Sequence, residues 1–274
     1  MAASRSVIVT GGCSGIGLAM ARHFTSQGHR VTILDVVSDE KGQETAEALS
    51  KNQAQAKAVF RRCNVASWEE QAAAFKEVYE RNGSLDIVMA NAGISERGAT
   101  SAINLKEDTP SKPRLEVLDV NLNGVVYSVK LASHYMNKNK PSSTGSRGTI
   151  ICTASNAGLY PFPISPLYAA SKFAVIGLVR SLAKPLAGAG IQINALAPAV
   201  LETNIAPSKD LFGNMIVTPM ETLVKGVAKF VEDTSLTGEV AEIHGNNVTL
   251  RPPHEIVDAD SAKNLEEFYK LGYA

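Results

Sequence analysis

Short apolar, β-branched runs alternate along this chain with longer amphipathic segments. The strand candidates are Val7–Thr10, Arg30–Asp35, Ala56–Arg62, Ile87–Ala90, Thr149–Thr153, Ile191–Ala195 and Val240–His244. Several are almost continuously hydrophobic, the pattern of strands buried on both faces. Helical patterns lie between them, among them Glu40–Ser50, Trp68–Arg81 and Pro219–Glu232. Strand–helix alternation predicts an α/β fold, a doubly wound parallel sheet with helices on both faces.

Two helical patterns depart from the single apolar stripe of a surface helix. Arg114–Lys138 carries Val117, Leu118, Val120, Leu122, Val125, Val126 and Val129; Leu167–Leu186 carries Phe173, Ala174, Val175, Ile176, Leu178, Val179 and Leu182. Apolarity nearly all round predicts burial against the sheet and against a second body. A second copy of the chain is the economical candidate, giving a homodimer; the chain's own tail is the other. Lys138–Gly148, rich in Ser, Gly and Pro, reads as a surface loop. Without a repeat or long linker, residues 1–250 read as a single domain, and residues 251–274 as an extension with a short helix over Ser261–Leu271.

The 274 residues are 45% hydrophobic and carry 27 basic against 27 acidic side chains, a net charge of zero. That balance recommends neither nucleic acid nor an anionic membrane as partner. Cys13, Cys63 and Cys152 are too few and too irregular for a disulfide framework or a zinc site, so a reducing, cytoplasmic setting is expected. No basic segment followed by an apolar stretch precedes the first strand, so no secretory signal is expected. Asn247-Val248-Thr249 matches a glycosylation triplet, read here as chance.

Thr10-Gly11-Gly12-Cys13-Ser14-Gly15-Ile16-Gly17 joins the first strand to the first helix. Gly11 permits a tight turn, Gly15 lets backbone approach a pyrophosphate, and Gly17 allows close helix–sheet packing. The helix start offers N–H groups to the phosphates. Asp35, followed by Val36, ends the second strand, where a carboxylate accepts from the adenosine ribose. Strand, turn, helix and acid together point to a Rossmann-type dinucleotide site. Asp35 also predicts NAD over NADP. Two like charges at about 4 Å repel by roughly 4 kcal/mol at an effective dielectric of about 20, and neither Ser14 nor Val36 offers a cation to the extra phosphate.

Tyr168-Ala169-Ala170-Ser171-Lys172 sets a phenol and an amine on one helix face. Ser155 lies upstream, just past the strand ending near Thr153, at the end of the sheet where such folds bind ligands. A free phenol is only about 0.1% ionised at pH 7. Lys172 and a positively charged nicotinamide ring are expected to lower its pKa. Tyr168 would then take the proton of an alcohol while hydride leaves for the cofactor, with Ser155 holding the substrate oxygen.

With these motifs in order, the chain resembles the short-chain dehydrogenase/reductase family over roughly residues 5–250. The motifs are Thr10–Gly17, Asn91-Ala92-Gly93, Asn121 in Val-Asn-Leu, Ser155 and Tyr168-x-x-x-Lys172. The resemblance implies that Asn121 completes a tetrad, holding a water that links Lys172 to solvent, and that Lys172 also binds the nicotinamide ribose. It implies that Asn91–Gly93 line the adenosine side, and that Pro198, Val200 and Thr203 contact the nicotinamide end. Within the family the chain is similar to the NAD-dependent 15-hydroxyprostaglandin dehydrogenase branch, through Cys63-Asn64-Val65, residues 83–87 and 191–205, and to fungal secondary-metabolism dehydrogenases. It departs from the family at Asn64, usually aspartate beside the adenine, at Ala199, usually glycine, and in its tail. That tail covers the substrate mouth, packs on a partner, or lies on the surface.

Tyr160, Phe162, Leu201, Phe212 and Met215, with Leu159, Pro163, Ile164, Ile205, Leu211 and Met220, supply an apolar lining suited to a lipophilic secondary alcohol. Lys209 is the one candidate for a substrate carboxylate. The histidines show no zinc spacing, so no metal is expected. Three readings stand: NAD-linked oxidation of a lipophilic alcohol, carbonyl reduction by the reverse chemistry, and a non-catalytic NAD-binding scaffold.

Overall fold

A computed structural model describes residues 4–51, 57–96, 102–203, 205 and 209–271, with the side chains of 209–211 outside the description. Seven parallel strands form the sheet: β1 (Ser6–Thr10), β2 (Arg30–Asp35), β3 (Ala58–Arg62), β4 (Ile87–Ala90), β5 (Gly148–Thr153), β6 (Ile191–Pro198) and β7 (Val240–His244). An eighth, β8 (Asn247–Leu250), pairs antiparallel with β7. Their order is β3-β2-β1-β4-β5-β6-β7-β8. The chain winds outward from β1 to β3 and then crosses back to β4. This reversal opens a crevice at the C-terminal ends of β1 and β4, where a doubly wound sheet takes its ligand.

Helices α1 (Gly15–Ser26), α2 (Asp39–Ser50) and α7 (Met220–Glu232) cover one face; α3 (Trp68–Asn82), α5 (Gly124–Met136) and α6 (Pro166–Gly188) cover the other. The pleat sorts side chains between the two cores. Val7 and Val9 pack with Met20 and Phe24 of α1, whereas Ile8 between them packs with Phe75 of α3. All residues of β1, β4, β5 and β6 are buried, as their continuous hydrophobicity predicts.

Three expectations need correction. The sheet is not wholly parallel: β8 was not foreseen, although Gly245, at φ +49°, and Asn246 form the tight turn after His244. Its alternating exposure, on the sheet edge, gives a weaker signal than a buried strand. The strand expected over Ala56–Arg62 begins at Ala58, and Ala56 lies outside the described residues. The single helix expected over Arg114–Lys138 is broken into α4 (Glu116–Leu118), a π-helical turn over Asp119–Asn123, and α5. Such wide turns gather at functional positions, and this one carries Asn121.

The tail follows β8 into α8 (Ala259–Lys270), which buries none of its residues. It runs along the outside of α6. Arg180 Nη2 donates to the carbonyls of Arg251 (3.0 Å) and Pro252 (3.1 Å), and Lys184 Nζ stands 4.4 Å from the Tyr269 ring centre. Among the described residues no helix is long and apolar enough to cross a membrane.

Candidate active site

The glycine turn leaves β1 with Gly11 at φ +65°, a left-handed conformation that strains any side chain. A Cβ on Gly11 would come within 2.9 Å of Ala92 Cα, and one on Gly17 within 2.1 Å of the Gly11 carbonyl oxygen. The turn is therefore closed to side chains. Ser14 caps α1 in an extended conformation without a side-chain hydrogen bond, leaving the first helical N–H groups of Gly15, Ile16 and Gly17 without a side-chain acceptor among the described residues. Asp35 stands beside the turn, its Oδ2 accepting from Cys13 N (3.0 Å) and its Oδ1 from Val36 N (2.8 Å). Val36 projects outward and is exposed. A backbone cradle and a carboxylate on the next strand fit the phosphates and ribose of a dinucleotide.

Asn91 stitches three strand ends together. Its Nδ2 donates to the Thr10 carbonyl (3.0 Å) and its Oδ1 accepts from Thr153 Oγ1 (3.0 Å). Thr10 Oγ1 in turn accepts from the N–H groups of Asn91 (2.8 Å) and Ala92 (3.0 Å). Farther along the crevice Asn64 is exposed and folds back on Ala66 N (3.0 Å), while Val65 is buried and packs close to Gly124.

At the end of β5 the polar residues converge. Lys172 Nζ is buried and donates to the Thr153 carbonyl at 2.8 Å; it stands 5.5 Å from the centre of the Tyr168 ring. Burial pulls its pKa down to about 8. Ser155 caps a 3₁₀ turn over Asn156–Gly158, its Oγ accepting from Ala157 N (3.1 Å) and donating to Asn156 Oδ1 (3.2 Å). Asn121 grips Ile94 from both sides: Oδ1 accepts from its N–H (2.8 Å) and Nδ2 donates to its carbonyl (2.9 Å). Nδ2 also reaches Ser171 Oγ (3.2 Å). Gly93 lies where Asn121 and Lys172 meet, since a Cβ there would sit 3.2 Å from Asn121 Oδ1 and 3.6 Å from Lys172 Nζ.

The side chains around the Tyr168 phenol do not by themselves lower its pKa. Burial raises its pKa above the usual value, and hydrogen bonding with the Ser155 hydroxyl only partly offsets this. Lys172 does not reverse the balance; its ammonium is directed at the Thr153 carbonyl.

The expected substrate residues separate. Phe162 stands beside the phenol, ring centres 6.3 Å apart. Tyr160 does not present a free hydroxyl, because it donates to Glu242 Oε2 on β7 at 3.0 Å, an oxygen also 3.5 Å from Arg251 Nε. Leu201 is buried and packs in the core layer of α1 and α7. Phe212 lies in a 3₁₀ turn over Lys209–Asn214, tied through its carbonyl to Met215 N (3.1 Å), and Met215 is exposed. The side chains of Lys209 and Leu211 lie outside the described residues. Pro198 ends β6, the Val200 carbonyl accepts from Thr218 N (2.7 Å), and Thr203 stands over the glycine turn, its Cβ 3.3 Å from where a Gly15 Cβ would be. Glu96, Thr153 and Ser171 also hold the cluster in place, and sequence reasoning passed over all three. Only Ser171, inside the Tyr–Lys spacing, carried a positional hint. Among the described residues no group of three or more His, Cys, Asp or Glu is placed to hold a metal ion.

A doubly wound sheet, a side-chain-free glycine turn at its switch point and, beside it, a cluster of buried Ser155 and Lys172 with half-buried Tyr168 define an oxidoreductase of the nicotinamide-cofactor class. The short chain dehydrogenase family profile matches residues 5–211, and the chain belongs to that family. It is 35% identical over 225 residues to the short-chain dehydrogenase/reductase prx7 of Penicillium rubens, covering 79% of this chain and 77% of that one. It is 33% identical over 262 residues to the 5'-hydroxyaverantin dehydrogenase of Dothistroma septosporum, covering 90% and 84% of the two chains. It is 32% identical over 259 residues to short-chain dehydrogenase reductase 3a of Arabidopsis thaliana, covering 91% and 95%. These relatives are fungal and plant proteins and do not extend the likeness to the prostaglandin dehydrogenase branch.

Proposed function

We propose that the protein is an NAD-dependent dehydrogenase that oxidises a secondary alcohol of a lipophilic small molecule to the ketone. The observation that carries the reading is the placement of half-buried Tyr168 beside buried Ser155 and Lys172 at the mouth of the crevice that the glycine turn opens. The bound nicotinamide supplies the hydride acceptor. Ser155 holds the substrate oxygen, and Tyr168 takes its proton. Lys172 binds the nicotinamide ribose, and a water held at Asn121 links Lys172 to solvent as the path by which the proton leaves. Gly11, Ser14, Gly15, Ile16 and Gly17 receive the phosphates; Thr203, lying over Gly15, belongs with them. Asp35 and Val36 meet the adenosine ribose, Asn64, Val65 and Asn91–Gly93 the adenosine side, and Pro198 and Val200 the nicotinamide end. Asp35 supports NAD because a ribose phosphate would meet its charge.

Phe162, exposed Ile164 and Met215 favour an apolar substrate. The relative named 5'-hydroxyaverantin dehydrogenase supports a hydroxylated compound, and a secondary-metabolite intermediate is the class we favour. Three buried, free cysteines suit a reducing cytoplasmic setting.

The test is NADH absorbance with a panel of secondary alcohols, from short alkanols to hydroxy fatty acids, steroids and polyketide alcohols, with NADP run in parallel. Oxidation of a bulky apolar alcohol is expected, rising with pH as the phenol ionises, with NAD preferred. Faster turnover with NADP would overturn the cofactor assignment. NAD binding without turnover on any alcohol or ketone would favour the scaffold reading.

A further inference from the structure

Helix α6 carries both Tyr168 and Lys172, and its first turn is capped from outside. Ser165, at the N-cap position, makes no side-chain capping bond, and Pro166 follows it without an N–H. The two N–H groups that need an acceptor belong to Leu167 and Tyr168 itself. Both donate to one carboxylate oxygen, Glu96 Oε2, at 3.0 and 3.1 Å. Glu96 comes from the segment after β4, about seventy residues away in sequence. Its other oxygen, Oε1, is buried and has no hydrogen-bond partner among the described residues.

The Tyr168 carbonyl is held from the other side. Ser171 Oγ donates to it at 2.6 Å, Asn121 Nδ2 donates to Ser171 Oγ, and Asn121 grips both polar groups of Ile94. Ile94 is two residues before Glu96, so the bonds close a ring: Glu96, Tyr168, Ser171, Asn121, Ile94 and back to Glu96. The backbone of the residue bearing the phenol is pinned at its N–H and at its carbonyl by one short segment.

We propose that Glu96 is a positioning residue: by accepting from the Leu167 and Tyr168 N–H groups it locks the first turn of α6 and fixes the Tyr168 phenol against Ser155 and beside Lys172. Glu96 touches no reacting atom in this role. A carboxylate is the strongest acceptor for a helix start, and here it also meets the positive end of the helix dipole. Its reach from β4 couples the strand edge of the crevice to the helix that carries the proton. The inference rests on Tyr168 being the acid/base of the proposed reaction.

The test compares Glu96→Ala and Glu96→Gln with the unaltered protein. The amide of E96Q keeps a carbonyl acceptor of the same reach and drops the charge; E96A drops both. The first readout needs no substrate: the phenolate absorbance of Tyr168, isolated by subtracting the titration of a matching Tyr168→Phe protein. In E96A the midpoint should fall towards that of an ordinary tyrosine as the phenol loses its fixed, half-buried place. In E96Q it should stay with the unaltered protein. The second readout is turnover on whichever alcohol of the panel is oxidised. In E96A kcat should drop about 10- to 100-fold, the scale of a small misplacement of a catalytic group. KM for NAD should be held, and E96Q should recover most of the loss. If E96Q shifts both readouts as far as E96A, the charge is what matters and the proposal fails. If E96A shifts neither, Glu96 does not position Tyr168. Should E96A not fold, a folded E96Q that fails to match the unaltered protein overturns the proposal, and one that matches it upholds it. A silent panel with the expected titrations would count against the proposed reaction and leave the positioning role standing.

Discussion

At the residue scale, two titratable groups stand side by side, Lys172 buried and Tyr168 half-buried. Desolvation raises the Tyr168 pKa and pulls that of Lys172 down to about 8. If Tyr168 moves the proton, Tyr168→Phe should lower turnover about 100- to 10,000-fold, with NAD affinity unchanged by calorimetry. Lys172 makes a separate prediction about stability. In the folded chain it titrates near about 8, against an ordinary 10.5. Between those values the folded state binds fewer protons than the unfolded state, so stability rises with pH across that window. Below it, the full cost of a buried ammonium is present. Urea midpoints should show the unaltered protein gaining on Lys172→Met as pH rises from about 8 towards 10.5. A difference that stays constant with pH would show that the folded-state pKa is not depressed.

At the element scale, close approach outranks local propensity. Gly42 sits inside α2, where alanine would ordinarily stabilise by about 1 kcal/mol. Yet a Cβ on Gly42 would stand 2.2 Å from Cδ1 of the Phe60 ring on β3. The ring is buried and cannot swing away without disturbing the sheet edge. Overpacking of this kind costs about 1 to 3 kcal/mol, so Gly42→Ala should destabilise the fold in chemical denaturation despite its better propensity. The π-helical turn before α5 and the outside cap on α6 follow the same logic. Each serves a contact with the segment after β4.

At the scale of the whole molecule, the outer faces of α5 and α6 leave Val126 and Phe173 exposed at 38% and 45%. The tail runs beside α6 but buries none of its own helix there. That unfinished cover supports the homodimer. Light scattering at micromolar protein should give twice the chain mass, and Phe173→Lys should return a folded monomer; a monomer in the unaltered protein would end the idea.

Periodicity alone determined the seven parallel strands and the main helices, because a strand buried on both faces cannot hide its hydrophobicity. Spacing and residue type likewise marked the glycine turn, Asp35, Asn121, Ser155, Tyr168 and Lys172, since turn geometry and helix facing are local. Tertiary structure alone decided whatever depends on contacts distant in sequence. Leu201 is buried by its packing with α1 and α7. The Tyr160 hydroxyl reads as free until Glu242 accepts from it. The surroundings of Tyr168 do not by themselves lower its pKa, a balance of desolvation and hydrogen bonding that spacing does not carry. Glu96 reads as an ordinary loop acid until the fold carries it to the start of α6, because a hydrogen bond between remote segments leaves no periodic trace in either.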